Sequence, residues 1–120
     1  MKVTVKIKVW SKDPYSRYFA YSIDEPLHSS WREWKNRKIV SRRYTTSFTV
    51  DLPEGRHYVE IAVSSPCRDP YYWDAEIYVN GNLVEKGRVC GNQHLRGYFT
   101  IGRPSFFEQI ASWFKQFFKW

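Results

Sequence analysis

Two runs of residues decide the fold: TTSFTVDLPEGRHYVEIAV at positions 45–63 and WDAEIYVNGNLVEK at positions 73–86. Apolar and polar residues alternate along both runs, and turn-forming residues interrupt them, which is typical of half-buried antiparallel strands. The Asn80-Gly81 pair predicts a type I′ hairpin between the strands on either side of it. The Pro53-Glu54-Gly55 sequence predicts a second hairpin, because Gly55 can adopt the positive φ that such a turn needs.

The same alternation continues outward in both directions. Near the start of the chain, Val3, Val5, Ile7 and Val9 fall on one face of a strand, with lysines on much of the other. Residues 38–43 fit either a short strand or a lead into the next one. Seven or eight short strands at this spacing predict an all-β fold, an antiparallel β-sandwich. The other predicted strands cover residues 17–23, 44–52, 57–63, 72–79, 83–89 and 95–101.

This run of strands resembles that of immunoglobulin-like or fibronectin-like modules. The phrase Leu52-Pro-Glu-Gly followed by His57-Tyr-Val-Glu is similar to a hairpin common in those modules. The resemblance implies the sandwich architecture and no particular activity. A length of 120 residues fits one domain, so we expect a β-sandwich over residues 1–103 and a C-terminal amphipathic helix over residues 104–120.

The composition narrows the classes of partner. Aromatic residues make up 19% of the chain, a surplus that favours a binding surface or an interface. The formal net charge of +7 is compatible with nucleic acid or an anionic membrane as a partner. The first ten residues alternate charged and β-branched side chains and lack the apolar run of a secretory signal. We therefore expect a cytoplasmic protein, with a peripheral membrane position as the alternative.

The C-terminal segment breaks the strand pattern and predicts an amphipathic helix. Ser105 and Glu108 have the spacing of a capping box, and Lys115 and Lys119 complement the C-terminal end of the helix dipole. At about 100° per residue, the apolar side chains and Ala111 occupy one half of the helix and the polar side chains the other. The predicted interaction face consists of Phe106, Phe107, Ile110, Trp113, Phe114, Phe117, Phe118 and Trp120.

This face is too large to be left in water. Each aromatic side chain can bury about 150–250 Å², so together they offer on the order of 1,000 Å², more than a soluble monomer usually exposes. Three surfaces could bury this face: the outer faces of the protein's own sheets, a second copy of the helix, or a membrane interface. The outer-face residues that would receive the helix are Tyr18, Ala20, Tyr58, Ala62, Tyr72 and Tyr78.

A basic segment over residues 31–43 offers a different partner. Its cations, interleaved with Trp31 and Trp34, could follow a phosphate backbone and stack on bases, or contact anionic lipid headgroups in support of the helix. The same composition is also common in a solvated loop. Ser30 and Glu33 have the spacing of a capping box and predict a short helical turn. The predicted basic patch consists of Arg32, Lys35, Arg37, Lys38, Arg42 and Arg43.

The two cysteines, Cys67 and Cys90, fall in predicted loops. Three chemical states of these cysteines are compatible with the sequence: free thiols, a disulfide, or a metal site in which His94 is a further ligand. No CxxC pair supports the metal site, so we expect no metal and no cofactor.

Catalytic motifs find little support in the sequence. It contains no nucleophile motif, no glycine-rich phosphate loop and no metalloprotease helix, so we expect no enzymatic activity. Asp74 and Glu76 share the outer face of one strand and could flank a sugar. Tyr71, Tyr72 and Trp73 could form part of a carbohydrate platform.

The sequence therefore predicts a non-catalytic interaction or assembly module whose C-terminal helix engages its own sheet, another copy or another protein, or a membrane surface. The alternative is a β-sandwich that binds nucleic acid or glycan through residues 31–43, and nucleic acid is less favoured than the partners of the C-terminal helix.

Overall fold

A computed structural model describes residues 1–102 of the chain. These residues form eight β-strands and a single 3₁₀ turn, Trp31–Glu33. The predicted helix over residues 104–120 lies outside the described residues, and no α-helix occurs between residues 1 and 102. The strands are β1 (Lys2–Trp10), β2 (Arg17–Ile23), β3 (Lys38–Val40), β4 (Arg43–Asp51), β5 (Gly55–Val63), β6 (Trp73–Val79), β7 (Asn82–Val89) and β8 (Leu95–Ile101).

The strands form two sheets of four, which confirms the predicted antiparallel sandwich. Sheet A has the order β4-β1-β6-β7, sheet B has the order β3-β2-β5-β8, and every neighbouring pair is antiparallel. The predicted alternation places the apolar side chains of each strand between the sheets. The core includes Val3, Val5, Ile7, Val9, Phe19, Val59, Ile61, Val63, Trp73, Ala75, Ile77, Val79, Val89, Phe99 and Ile101.

The predicted hairpin at Pro53–Gly55 is wrong, because this turn carries the chain from sheet A to sheet B. Strand β4 pairs along its whole length with β1, whereas β5 pairs with β2 and β8. Gly55 does take a positive φ of 132°, as the turn chemistry indicates. The crossing lets the half-buried Phe48 of sheet A stack on Tyr21 of sheet B, with ring centroids 4.6 Å apart. The turn residues thus predicted that the chain turns here, but they did not predict which sheet the next strand joins.

The predicted hairpin at Asn80-Gly81 is confirmed. Both residues have positive φ, 50° and 83°, as a type I′ turn requires. Strands β6 and β7 pair directly on either side of this turn. The amide of Asn80 donates to the Thr4 carbonyl at 2.8 Å, and its side-chain oxygen accepts from the Thr4 amide at 3.0 Å. The turn is therefore also fastened to β1.

The chain between β2 and β4 packs against sheet B before it returns to sheet A. The helical turn predicted near Trp31 is present as a 3₁₀ turn, although Ser30 makes no side-chain cap. Strand β3 is short and pairs with β2, so the predicted short strand in residues 38–43 exists. Arg42, with a φ of 60°, reverses the chain between the two sheets. Within residues 1–102, no helix is long and apolar enough to cross a membrane.

Candidate interaction surfaces

The segment between β2 and β3 covers part of the outer face of sheet B. Trp34, only 4% exposed, packs on Ala20 and Ala62, which are both fully buried beneath it. Its indole Nε1 donates to the His28 carbonyl at 2.6 Å, which fixes the ring. The prediction that Trp34 stacks on bases is therefore wrong. Ala20 and Ala62 are likewise not free to receive a helix, because the small alanines already accommodate this indole.

Trp31 belongs to a stack of rings and guanidinium groups on the same face. Its ring lies on Tyr18, with centroids 4.7 Å apart and planes inclined by 13°. The guanidinium of Arg37 lies 5.4 Å from the Trp31 centroid, and that of Arg32 lies 5.1 Å from it. Arg37 also donates to the Arg32 carbonyl at 2.9 Å. Two cations of the predicted patch thus contribute to local packing.

The structure does not bring the six basic residues onto one surface. All six side chains are exposed. Lys38 belongs to β3 in sheet B, whereas Arg43 belongs to β4 in sheet A, and Arg42 lies in the connection between them. The charge run in the sequence is therefore divided between the two layers of the sandwich.

A buried carboxylate, which the sequence analysis did not single out, fastens the covering segment to sheet B. Glu60 is 3% exposed and accepts hydrogen bonds from the Leu27 amide at 2.5 Å and from Arg96 Nε at 2.5 Å. His94 Nδ1 lies 3.2 Å from the same carboxylate. Burial raises the pKa of Glu60, but the hydrogen bonds from Arg96, Leu27 and His94 outweigh it and hold the pKa below its usual value. A carboxylate with both oxygens occupied is a structural anchor here.

The part of sheet B next to the end of β8 carries tyrosines beneath arginines. Tyr58 and Tyr98 are cross-strand partners with ring centroids 5.6 Å apart. The Arg96 guanidinium lies 4.3 Å from the Tyr58 centroid, and that of Arg56 lies 5.1 Å from the Tyr98 centroid. Both tyrosine rings are therefore engaged in cation–π contacts.

Cys67 and Cys90 form a disulfide whose Cα atoms are 5.3 Å apart. The bond joins the loop after β5 to the residue that follows β7. It leaves neither sulfur free as a thiolate ligand, so a metal site built on the two cysteines and His94 is incompatible with this structure. Residues 1–102 contain no group of three or more side chains placed to hold a metal ion.

Another buried carboxylate lies in the connection between β1 and β2. Asp13 is fully buried and accepts from Arg17 Nε at 2.6 Å, from the Tyr15 amide at 3.0 Å and from the Trp73 indole at 3.2 Å. Trp73 has no exposed surface, as the alternation along its strand predicts, so it takes no part in a carbohydrate platform. Tyr71, by contrast, is half-buried beside the exposed Tyr15, with ring centroids 6.3 Å apart.

Comparison of this chain with protein-family models, with curated proteins and with solved structures finds no match. The predicted interaction face of residues 106–120 lies outside the described residues.

Proposed function

We propose that this protein is a non-catalytic β-sandwich module that attaches to a membrane surface through the apolar face of residues 104–120. The observation that carries the proposal is the complete separation of apolar from polar side chains in that segment. Seven of the apolar side chains are aromatic, and on the order of 1,000 Å² of such surface requires a cover.

The outer faces of the two sheets give little support to the alternative in which the apolar face of residues 104–120 packs against the protein itself. Ala20 and Ala62 lie beneath Trp34, and cations lie over Tyr58 and Tyr98. The outer face of sheet A is mainly charged and hydroxyl-bearing, with Lys2, Thr4, Lys6 and Lys8 along β1 and Thr45, Ser47 and Thr49 along β4. Tyr78, another residue expected to receive the helix, lies on this face with the Lys8 ammonium 5.7 Å from its ring centroid.

The chemistry of the segment favours a membrane over a second copy. Trp113 and Trp120 are the residue type that prefers the headgroup region, and a helical projection of the sequence puts Lys115 and Lys119 on the opposite face. A segment of 17 residues with a polar half is suited to lie along the interface and not to cross the bilayer. The net charge of +7 adds attraction to anionic lipid.

Vesicle flotation of the full chain tests the proposal. The vesicles contain phosphatidylcholine with or without phosphatidylserine, and the variants are Trp113→Ser with Phe117→Ser, and Gln109→Ser with Gln116→Ser. Each lost aromatic contact is worth about 1.5–3 kcal/mol of burial, so the first variant, which loses two, should lose about a hundredfold or more in partitioning. The glutamine variant is the matched control because it alters only the polar face, and it should float like the unmodified chain.

Two results would contradict the proposal. One is the absence of flotation for the full chain. The other is a full chain that forms a discrete oligomer in solution, which Trp113→Ser with Phe117→Ser dissociates and which vesicles leave intact. The second result would assign the face to a second copy.

Nucleic-acid binding through residues 31–43 has less support. Trp34 is buried, Trp31 is stacked on Tyr18, and the six cations are divided between the sheets. Phosphate attraction without ring stacking would predict weak, salt-sensitive binding of single-stranded DNA. A salt titration of such binding measures this directly, and undetectable binding at low salt would exclude that partner class.

A further inference from the structure

A groove lies on the outer face of sheet A, at the end of the sheet where β1 and β7 end and β6 begins. Trp10 of β1, Asp74 of β6 and Arg88 of β7 are direct partners in one row across three strands. Adjacent strands lie about 4.8 Å apart, so this row spans about 10 Å. Trp10 is 40% exposed, and Asp74 and Arg88 are also exposed. The row places an indole, a carboxylate and a guanidinium on one open surface.

Two hollows of similar size meet at Asp74. One, of about 380 Å³, is bordered by Trp10, Glu76 and Lys86. The other, of about 400 Å³, is bordered by Lys12, Tyr72 and Arg88. Each lies near the lower end of the range of about 300–1,000 Å³ that is typical of ligand clefts. Because Asp74 borders both, the two hollows are adjacent, and together they are called the groove.

The charged groups of this groove are not committed to each other. Asp74 is the register partner of Arg88, and Glu76 is the register partner of Lys86. Even so, the ion pairs formed among residues 1–102 involve none of these four side chains. The Glu76 carboxylate shares a hydrogen bond with Tyr78. The carboxylate of Asp74 and the cations of Lys86 and Arg88 therefore present an acceptor and donors of opposite charge to a ligand in the groove.

The backbone around the groove is held in place before any ligand arrives. Ser11 Oγ donates to the Tyr72 carbonyl at 2.5 Å, and the Asp13 amide donates to Ser11 Oγ at 3.0 Å. The Arg88 guanidinium lies 4.9 Å from the Tyr72 ring centroid and supports that wall. A site whose walls are fixed in advance loses less conformational entropy on binding.

We propose that this groove binds a neutral oligosaccharide. The face of the Trp10 indole is partially negative and attracts the weakly positive C–H groups on one face of a pyranose ring. Sugar hydroxyls both donate and accept, so they suit a groove in which carboxylates accept and cations donate side by side. A polyanion fits less well, because Asp74 lies at the centre of the groove and would repel it.

Calorimetric titration of the full chain tests this inference. The probes are cellohexaose, chitohexaose and mannohexaose as neutral chains and a heparin hexasaccharide as the sulfated one. At least one neutral chain should bind, Trp10→Ala should weaken that binding by about tenfold, in line with the loss of one stacked ring, and Asp74→Asn should weaken it as well. The matched control is Tyr98→Ala, which removes a similarly exposed ring, 47% accessible, from the outer face of the other sheet.

The indole N–H signals in two-dimensional NMR give a second measurement. The Trp10 signal, assigned by its absence in Trp10→Ala, should move on titration with the bound sugar, while that of the buried Trp34 should stay in place. The inference is overturned if none of the three neutral chains binds, if only the heparin probe binds, or if Trp10→Ala and Tyr98→Ala bind equally well. Unchanged thermal melting of Trp10→Ala identifies any loss as local to the groove.

Discussion

The Trp73 indole donates a hydrogen bond of 3.2 Å to the carboxylate of Asp13, 60 positions earlier in the chain, and both side chains are fully buried. Arg17 reaches the same carboxylate from β2 through two hydrogen bonds. One acidic side chain thus connects the loop before β2 to the central strand β6 of the other sheet. The charge is tolerated in the interior because each oxygen is paired.

Replacement of Asp13 by alanine should therefore be severely destabilising. The change leaves the Arg17 cation without its partner and the Trp73 N–H without an acceptor, and breaking a buried pair in this way costs about 3–5 kcal/mol. Urea denaturation at neutral pH gives the free energy of unfolding. Asp74→Asn is the control, because Asp74 is an exposed carboxylate and its loss should change stability by less than about 0.5 kcal/mol. Equal effects of the two substitutions would contradict this account of Asp13.

The same carboxylate should contribute to acid sensitivity. Burial raises the pKa of Asp13, but hydrogen bonds from Arg17, the Tyr15 amide and Trp73 outweigh it and hold the pKa below the usual value of 3.8. Its stabilising contribution is therefore fully present above that value and is lost as the pH falls through the lower folded pKa. Stability measured against pH should fall less in Asp13→Asn than in the unmodified protein over this acidic range. A parallel fall in both would contradict the assignment.

Trp34 should be far more important for stability than its polar sequence context indicates. Trp34→Ala would leave a cavity over Ala20 and Ala62, at a cost of about 3–5 kcal/mol if the surroundings do not collapse. Ile39→Ser is the control, because Ile39 is 69% exposed and its replacement should change stability by about 0.5 kcal/mol or less. Hydrogen exchange of residues 24–37 should accelerate in Trp34→Ala alone. A Trp34→Ala protein with the stability of the control would mean that the covering segment is not packed as described.

Alternation of apolar and polar residues was enough to predict the strands, because a strand buried on one face must repeat with a period of two. Strands β2 and β8 begin and end at the predicted residues. The partner of β4 could not be predicted, because the turn at Pro53–Gly55 has the same local chemistry whether the next strand pairs beside it or crosses to the other sheet. The two arrangements differ only in long-range contacts, namely the pairing of β4 with β1 and the packing of Tyr44 and Phe48 against sheet B.

The side-chain networks were beyond sequence reasoning for a related reason. Glu60 contacts Leu27, His94 and Arg96, which are 33 to 36 positions away in the sequence. No local pattern of residue spacing indicates contacts over such separations. The burial of Trp34 could, by contrast, have been inferred from two alanines in the sequence. Ala20 and Ala62 occupy outward-facing positions where strands usually carry larger or polar side chains, and two such alanines opposite each other form a depression that an indole can fill. A tryptophan in the loop that follows β2 is the side chain within reach.

The disulfide between Cys67 and Cys90 should stabilise the sandwich through the loop that it closes. The two residues are 23 positions apart, and the loop-entropy relation gives about 3 kcal/mol for a loop of this size. The Cys67→Ser, Cys90→Ser double variant should unfold at correspondingly lower urea concentration. A reducing agent should destabilise the unmodified protein and leave the double variant unchanged. Mass spectrometry of protein kept free of reductant gives an independent measurement, since two intact thiols would contradict the bond.

His57 should make the stability depend on pH near neutrality. Its Nδ1 lies 2.6 Å from Asp24 Oδ2 and its Nε2 lies 2.8 Å from the Pro53 carbonyl oxygen, so both ring nitrogens can donate when the imidazole is protonated. The hydrogen bond with Asp24 raises the pKa of His57 above 6.5, against the opposing effect of burial. A raised folded pKa means that the contribution is fully present below pH 6.5 and is lost as the pH rises through the folded pKa.

The free energy of unfolding should therefore decline as the pH rises above 6.5, and this decline should be absent from His57→Gln and reduced in Asp24→Asn. His28→Gln is the control, because His28 is exposed and should retain the full decline. Titration of the His57 ring by NMR locates the folded pKa directly, and a value at or below 6.5 would contradict the prediction.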